Sequence, residues 1–86
     1  MQAQTLLSVP IGGAATVAGI RGGGAMRRRL MDLGLTAHAT VEHLFDAPSG
    51  NPRAYQIRGT VIALRNDDAA AVDVWPSGNR GDAAWV

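Results

Sequence analysis

The chain has no cysteine, no lysine, a single glutamate and only four aromatic residues in 86 positions. Without thiols it can build neither a disulfide framework, a thiolate zinc site nor a cysteine nucleophile. No apolar run approaches the roughly 18–20 residues a helix needs to cross a bilayer. Met1–Pro10 has no basic segment ahead of its short apolar stretch, so no signal peptide and no membrane insertion are expected and the chain reads as cytoplasmic. The aromatics are Phe45, Tyr55, Trp75 and Trp85, with only Tyr55 in the hairpin region. Grooves for proline-rich peptides are lined by aromatics, so that function is discounted. Gly22-Gly23-Gly24 precedes a helix-like stretch, and amides at a helix N-terminus attract anions. The Gly-Lys-Ser/Thr ending of a phosphate loop is missing, so the triplet reads as a flexible connection.

What is present is enough for one small core. Hydrophobic residues make up 47% and charged residues 17%, outside the range of disordered chains. A domain of this size hides only about 60–65% of its unfolded surface, so its stability is thin. Eight arginines face six aspartates and Glu42, a net charge of +1, too balanced for a dedicated nucleic-acid binder. The basic charge is local. Arg21, Arg27, Arg28 and Arg29 face only Asp32 in the first 38 residues, whereas Asp67, Asp68, Asp73 and Asp82 dominate from residue 66 onward.

Turn and periodicity signals organise the chain. Leu6, Leu7 and Val9 run into Pro10 and a Gly12-Gly13 turn. Ala14–Ile20 is β-branched and reads as a strand. Met26, Leu30 and Leu33 stand at i, i+4 and i+7, one face of a helix. Gly34 suits the left-handed position after its end, with Leu35 placed against Leu30 in a Schellman arrangement. Thr40–Asp46 reads as a strand, Pro48-Ser49-Gly50-Asn51-Pro52 as a turn, and Tyr55–Ile57 and Val61–Leu64 as a hairpin. Asn66–Ala70 reads as a single turn capped by Asn66 or Asp67. Val72 and Val74 close the domain over residues 1–75, and residues 76–86 read as a tail that Trp85 could anchor. Five or so short strands with one inserted helix predict a mainly β fold, a small SH3-like barrel, because partial closure hides sheet edges.

Three segments carry a family resemblance: Arg28-Arg29-Leu30-Met31-Asp32-Leu33-Gly34-Leu35; Ala47-Pro48-Ser49-Gly50-Asn51-Pro52 with Tyr55-Gln56-Ile57-Arg58-Gly59; and Ile62-Ala63-Leu64-Arg65-Asn66-Asp67-Asp68-Ala69 with Val72-Asp73-Val74. In this order and spacing, over roughly residues 6–75, the chain resembles the FeoA family of small cytosolic proteins of bacterial ferrous iron uptake. The resemblance implies an SH3-like barrel without catalytic chemistry, acting as an accessory or regulator. The implied partner is the cytosolic part of the membrane ferrous iron transporter FeoB, which carries a GTP-binding domain. The same domain type ends iron-dependent transcriptional regulators. Two positions depart from the family pattern: Ala37-His38 stands where Pro-Gly is usual, and Asn51 where Asp is frequent. The first removes a glycine from a turn that favours positive φ.

Candidate site residues follow. Consecutive arginines near a helix N-terminus are disfavoured by the macrodipole by about 0.3–1 kcal/mol each, so something offsets them. It is either an acidic partner surface or burial of their stems on the barrel wall, with Arg29, beside Leu30, the most structural. A rigid helix is a poor platform for an arginine finger aimed at a phosphoryl group. The expected partner-binding patch is Arg27, Arg28, Asp32 and Leu35, with the Pro48–Pro52 turn as a second contact. His38, Glu42 and His43 are the candidate metal ligands. On an extended strand His43 points away from the other two, which favours a packed histidine. An incidental zinc or iron shared between two molecules is the form such a site would take. No intrinsic cofactor is expected.

Asp67, Asp68 and Asp73 supply too few oxygens for a calcium or magnesium cage. Arg80-Gly81-Asp82 matches an integrin-binding tripeptide by chance in a cytoplasmic chain. No Ser-His-Asp set or carboxylate pair stands out, so no enzyme is expected. The alternatives are a small basic barrel binding nucleic acid or ribosomal RNA, whose affinity would fall steeply with salt, and an iron-linked regulatory domain acting in trans.

Overall fold

The structure is a computed structural model that describes residues 4–76. The expected tail contacts of Ser77–Val86, Trp85 and Arg80-Gly81-Asp82 included, lie outside the described residues. The chain runs through β1 (Gln4–Thr5), a 3-10 turn (Leu6–Ser8), β2 (Ala14–Ile20), α1 (Gly24–Asp32), β3 (Thr40–Asp46), β4 (Arg53–Ile57), β5 (Thr60–Leu64), α2 (Asn66–Ala70) and β6 (Val72–Pro76). All six strands join one antiparallel sheet in the order β1-β6-β2-β3-β4-β5.

Alternation along the strands decides which face turns inward. Ala15 and Val17 of β2, Val41 and His43 of β3, Tyr55 and Ile57 of β4, Ile62 and Leu64 of β5, and Val72 and Val74 of β6 are all buried. Bulges between Val17 and Gly19 in β2, and between His43 and Phe45 in β3, sharpen the bend of the sheet. The result is a partly open barrel, because β1 and β5 do not pair. The 3-10 turn spans the gap: Arg53 donates from Nη1 to the Leu7 carbonyl at 3.3 Å, and the Tyr55 hydroxyl lies 3.5 Å from that of Leu6.

The mainly β class, the inserted helix and every expected strand are present. β6 includes Pro76, one residue past the expected domain boundary. β1 has no sequence signal, since two residues paired to Asp73 and Val74 carry no periodicity.

The one long helix obeys most of its signals. Leu30 is fully buried and Met26 packs half-buried beside it; complete burial of such a side chain is worth about 1.5–3 kcal/mol. Leu33, expected on the same face, is instead 37% exposed. It caps the helix C-terminus rather than continuing it. The Schellman end forms as expected: Leu35 N–H donates to the Leu30 carbonyl at 3.1 Å and Gly34 N–H to that of Met31 at 2.9 Å, with Gly34 at φ +108°.

Two expectations need correction. His38 does not sit on an extended strand; it lies in the turn before β3 at φ +75°. The turn therefore keeps the left-handed conformation even though its glycine is replaced. At α2, neither Asn66 nor Asp67 caps the helix through its side chain. Asn51 does so from the proline turn, its Oδ1 accepting the Asn66 N–H at 3.1 Å, while Asn66 Oδ1 accepts from Arg53 Nε at 3.0 Å.

Candidate functional site

Residues three and four apart share a helix face. Gly24, Arg27, Arg28, Met31 and Asp32 follow that spacing on α1 and line one open surface depression. Core packing fixes the opposite face through Leu30, so this one is turned outward.

The three arginines divide the labour. Arg27 donates from Nη1 to the Ile20 carbonyl at 2.6 Å, tying the start of α1 to the end of β2. Arg29 donates from Nη2 to Asp68 Oδ1 at 2.7 Å, tying α1 to α2, where Asp68 is buried. The Ile20 carbonyl offsets the unfavourable position of Arg27 in the first turn of the helix, whereas Arg29 lies in the last turn, where the macrodipole favours a cation. Arg28 has no hydrogen-bond or ion-pair partner among the described residues, and neither does Asp32 one turn away. Both are exposed.

The structure therefore keeps Arg27, Arg28 and Asp32 in one surface and removes Leu35. Leu35 is 1% exposed and belongs to the core, so it cannot meet a partner; its place in the motif is explained by the Schellman turn. Met31, 41% exposed, takes its place as the apolar member of the patch. Its spacing of four from Arg27 was the available signal. Pro48 and Pro52 are exposed, but no hydrogen bond joins their turn to α1 among the described residues. Both elements touch α2 instead, through Asn51 and Arg29 respectively.

The candidate metal ligands do not converge. His43 is buried with both ring nitrogens engaged, Nδ1 at 2.8 Å from the Val9 carbonyl and Nε2 at 2.6 Å from Asp46 Oδ1. Its ring stacks on Tyr55 with centroids 4.8 Å apart. This corrects its inclusion as a ligand. Exposed His38 lies in its turn and exposed Glu42 on the outer sheet face. Among the described residues no three metal-ligating side chains come together. Burial pushes the Tyr55 phenol above its ordinary range; nearby Arg53 lowers it and the Asp46 charge raises it. No helix among the described residues is long and apolar enough to cross a membrane.

Among curated proteins none matches this chain. Solved structures do. A FeoA-like protein of Clostridium acetobutylicum is similar with a TM-score of 0.82 and 28% identity over 90% of each chain. The FeoA protein of Chlorobium tepidum is 32% identical with a TM-score of 0.81, over 93% of this chain and 77% of the other. The FeoA of Stenotrophomonas maltophilia, solved in complex with zinc and described as an SH3 domain protein, is 31% identical with a TM-score of 0.74, over 83% of this chain and 88% of its own. The FeoA domain matches residues 4–76, which is the whole of the coiled sheet and both helices, and the chain belongs to the FeoA family.

Proposed function

We propose that this protein is a non-enzymatic accessory subunit of bacterial ferrous iron import, acting in the cytoplasm on the cytosolic part of the membrane ferrous iron transporter. Two things support the reading: membership of a family of iron transport proteins, and the relative from Stenotrophomonas maltophilia, a protein put forward as a bacterial ferrous iron transport activating factor. The observation that carries the choice of surface is the outward face of α1. Arg28 and Asp32 offer unengaged charges of both signs, with exposed Met31 between them. Such a mixed, partly apolar patch suits a protein partner, where an arginine and an apolar anchor can carry much of the affinity. The Pro48–Pro52 turn is a second contact.

The test is a calorimetric titration of the protein into the transporter's isolated GTP-binding domain, with and without a GTP analogue, alongside the GTPase rate. Saturable binding that weakens at least about tenfold in Arg28→Glu is expected, the loss of a desolvated charge contact. Binding unchanged by Arg28→Glu would remove α1 from the interface. A changed GTPase rate identifies a regulator of the nucleotide cycle, and an unchanged one an assembly role.

A further inference from the structure

The two edges of the sheet are built differently. β1, at one edge, is two residues long. β5, at the other, presents Thr60-Val61-Ile62-Ala63-Leu64, with no charge, proline or bulge in the strand. Natural sheets protect exposed edges with such features because unpaired amides and carbonyls recruit another strand.

The hairpin geometry identifies which groups are open. β4 and β5 are joined by Arg58-Gly59, both at positive φ, with Ile57 opposite Thr60. In a two-residue hairpin these flanking residues exchange both backbone hydrogen bonds. Thr60, Ile62 and Leu64 then bond inward to β4, and Val61 and Ala63 direct N–H and C=O away from it. No backbone bond outside the β4 ladder reaches Val61 or Ala63 among the described residues.

The side chains beside this edge are apolar. Ala63 continues a cross-strand row with Ala54 and Phe45 on the outer face, and Val61 stands in the next row. Phe45 is 58% and Val61 57% exposed.

We propose that β5 pairs antiparallel with β5 of a second copy of this chain about a two-fold axis at Ile62. In that register Val61 of each copy opposes Ala63 of the other, and all four outward N–H and C=O groups of each copy find partners. Thr60 opposes Leu64, so no like charges meet anywhere in the paired segment. The apolar row then runs from Phe45 through Ala54 and Ala63 to Val61 of the second copy. An isologous contact of this kind needs only one surface, complementary to itself, and β5 meets that condition because it is neutral and its outward groups match in reverse order.

Sedimentation equilibrium of the full chain, from micromolar to millimolar concentration, tests the pairing together with amide hydrogen exchange at Val61 and Ala63. The wild type is expected to dimerise, with both amides protected more as concentration rises. The Val61→Lys/Ala63→Lys variant sets two like-charge pairs across the axis and should weaken the dimer by at least about tenfold. Val61→Glu/Ala63→Lys has the same positions changed but sets opposite charges across the axis, and should dimerise again. Circular dichroism on both variants verifies the fold. A wild type that stays monomeric throughout, or a dimer indifferent to the double lysine, overturns the proposal. So does amide protection independent of concentration, which would assign the edge to another segment of the same chain.

Discussion

His43 and Asp46 form a 2.6 Å contact across the bulge of β3, and the other nitrogen of the same ring sits 2.8 Å from the Val9 carbonyl. Both partners are acceptor oxygens, so the ring is the donor side of this bridge. The ring thereby ties β3 to the segment that closes the gap in the barrel, with Tyr55 stacked on its face. Replacing His43 with Phe would keep the stacking but leave the Val9 carbonyl and the Asp46 carboxylate without their donor. Loss of about 2–3 kcal/mol is expected in urea unfolding. A loss below about 0.5 kcal/mol would mean the pair behaves like an exposed ion pair and adds no net stability.

His38 is held at φ +75° in the turn ahead of β3. A side chain there costs roughly 1–2 kcal/mol, partly regained by the lower entropy of a non-glycine residue in the unfolded chain. His38→Gly should therefore raise stability by about 0.5–1 kcal/mol and leave partner affinity unchanged, and His38→Val should lower it by about 1–2 kcal/mol. Denaturant midpoints of the two variants check the claim. If glycine is neutral or worse, backbone strain is not what distinguishes this turn.

Tyr55 sets an alkaline limit. Its phenol is raised by burial, so the fold holds the proton more tightly than the unfolded chain does. Above the unfolded value of about 10, the unfolded state binds fewer protons than the native one and stability falls as pH rises. Below that value the contribution is fully present. Titration of the phenolate absorbance should give an onset above the ordinary tyrosine range. Tyr55→Phe should remove this part of the alkaline destabilisation at a cost below about 1 kcal/mol near neutral pH, because its bond to Leu6 is long at 3.5 Å. An unchanged alkaline profile in Tyr55→Phe would place the limit elsewhere.

Most of the fold was legible because its signals are local. Alternation in Tyr55–Ile57, β-branching in Ala14–Ile20 and the Gly34-Leu35 stop depend on neighbours in sequence, and each formed where expected. What escaped is long-range. The side chain that caps α2 is Asn51, 15 residues before its partner Asn66, and capping rules look only within a helix's own first turn. Leu35 belongs with it for the same reason: the motif marks it as special, yet only the packed structure shows that its role is burial. Of the three arginines, sequence ranked Arg29 as structural and the Asp68 pair agrees. The bond from Arg27 to Ile20 was invisible, since it depends on where the glycine triplet turns the chain.

That division of the arginines sharpens the mutational test of the helix. Changing Arg27 and Arg28 together to glutamate would disturb the β2–α1 junction as well as any interface, confounding the two. Arg29→Ala should act on stability, leaving Asp68 buried without its cation, with an expected loss of about 1–2 kcal/mol once the exposure of Arg29 is allowed for. Arg28→Glu should act on affinity instead. It touches no partner within the described residues, and exposed substitutions of this kind stay within about 0.5 kcal/mol of the parent. Urea unfolding and titration into the transporter's GTP-binding domain, run on both variants, should give opposite patterns. Arg29→Ala unfolds earlier but binds normally when folded, and Arg28→Glu unfolds like the parent but binds at least about tenfold more weakly. If Arg28→Glu lowers stability as much as Arg29→Ala does, Arg28 is a structural residue and the outward face of α1 loses its only unengaged cation.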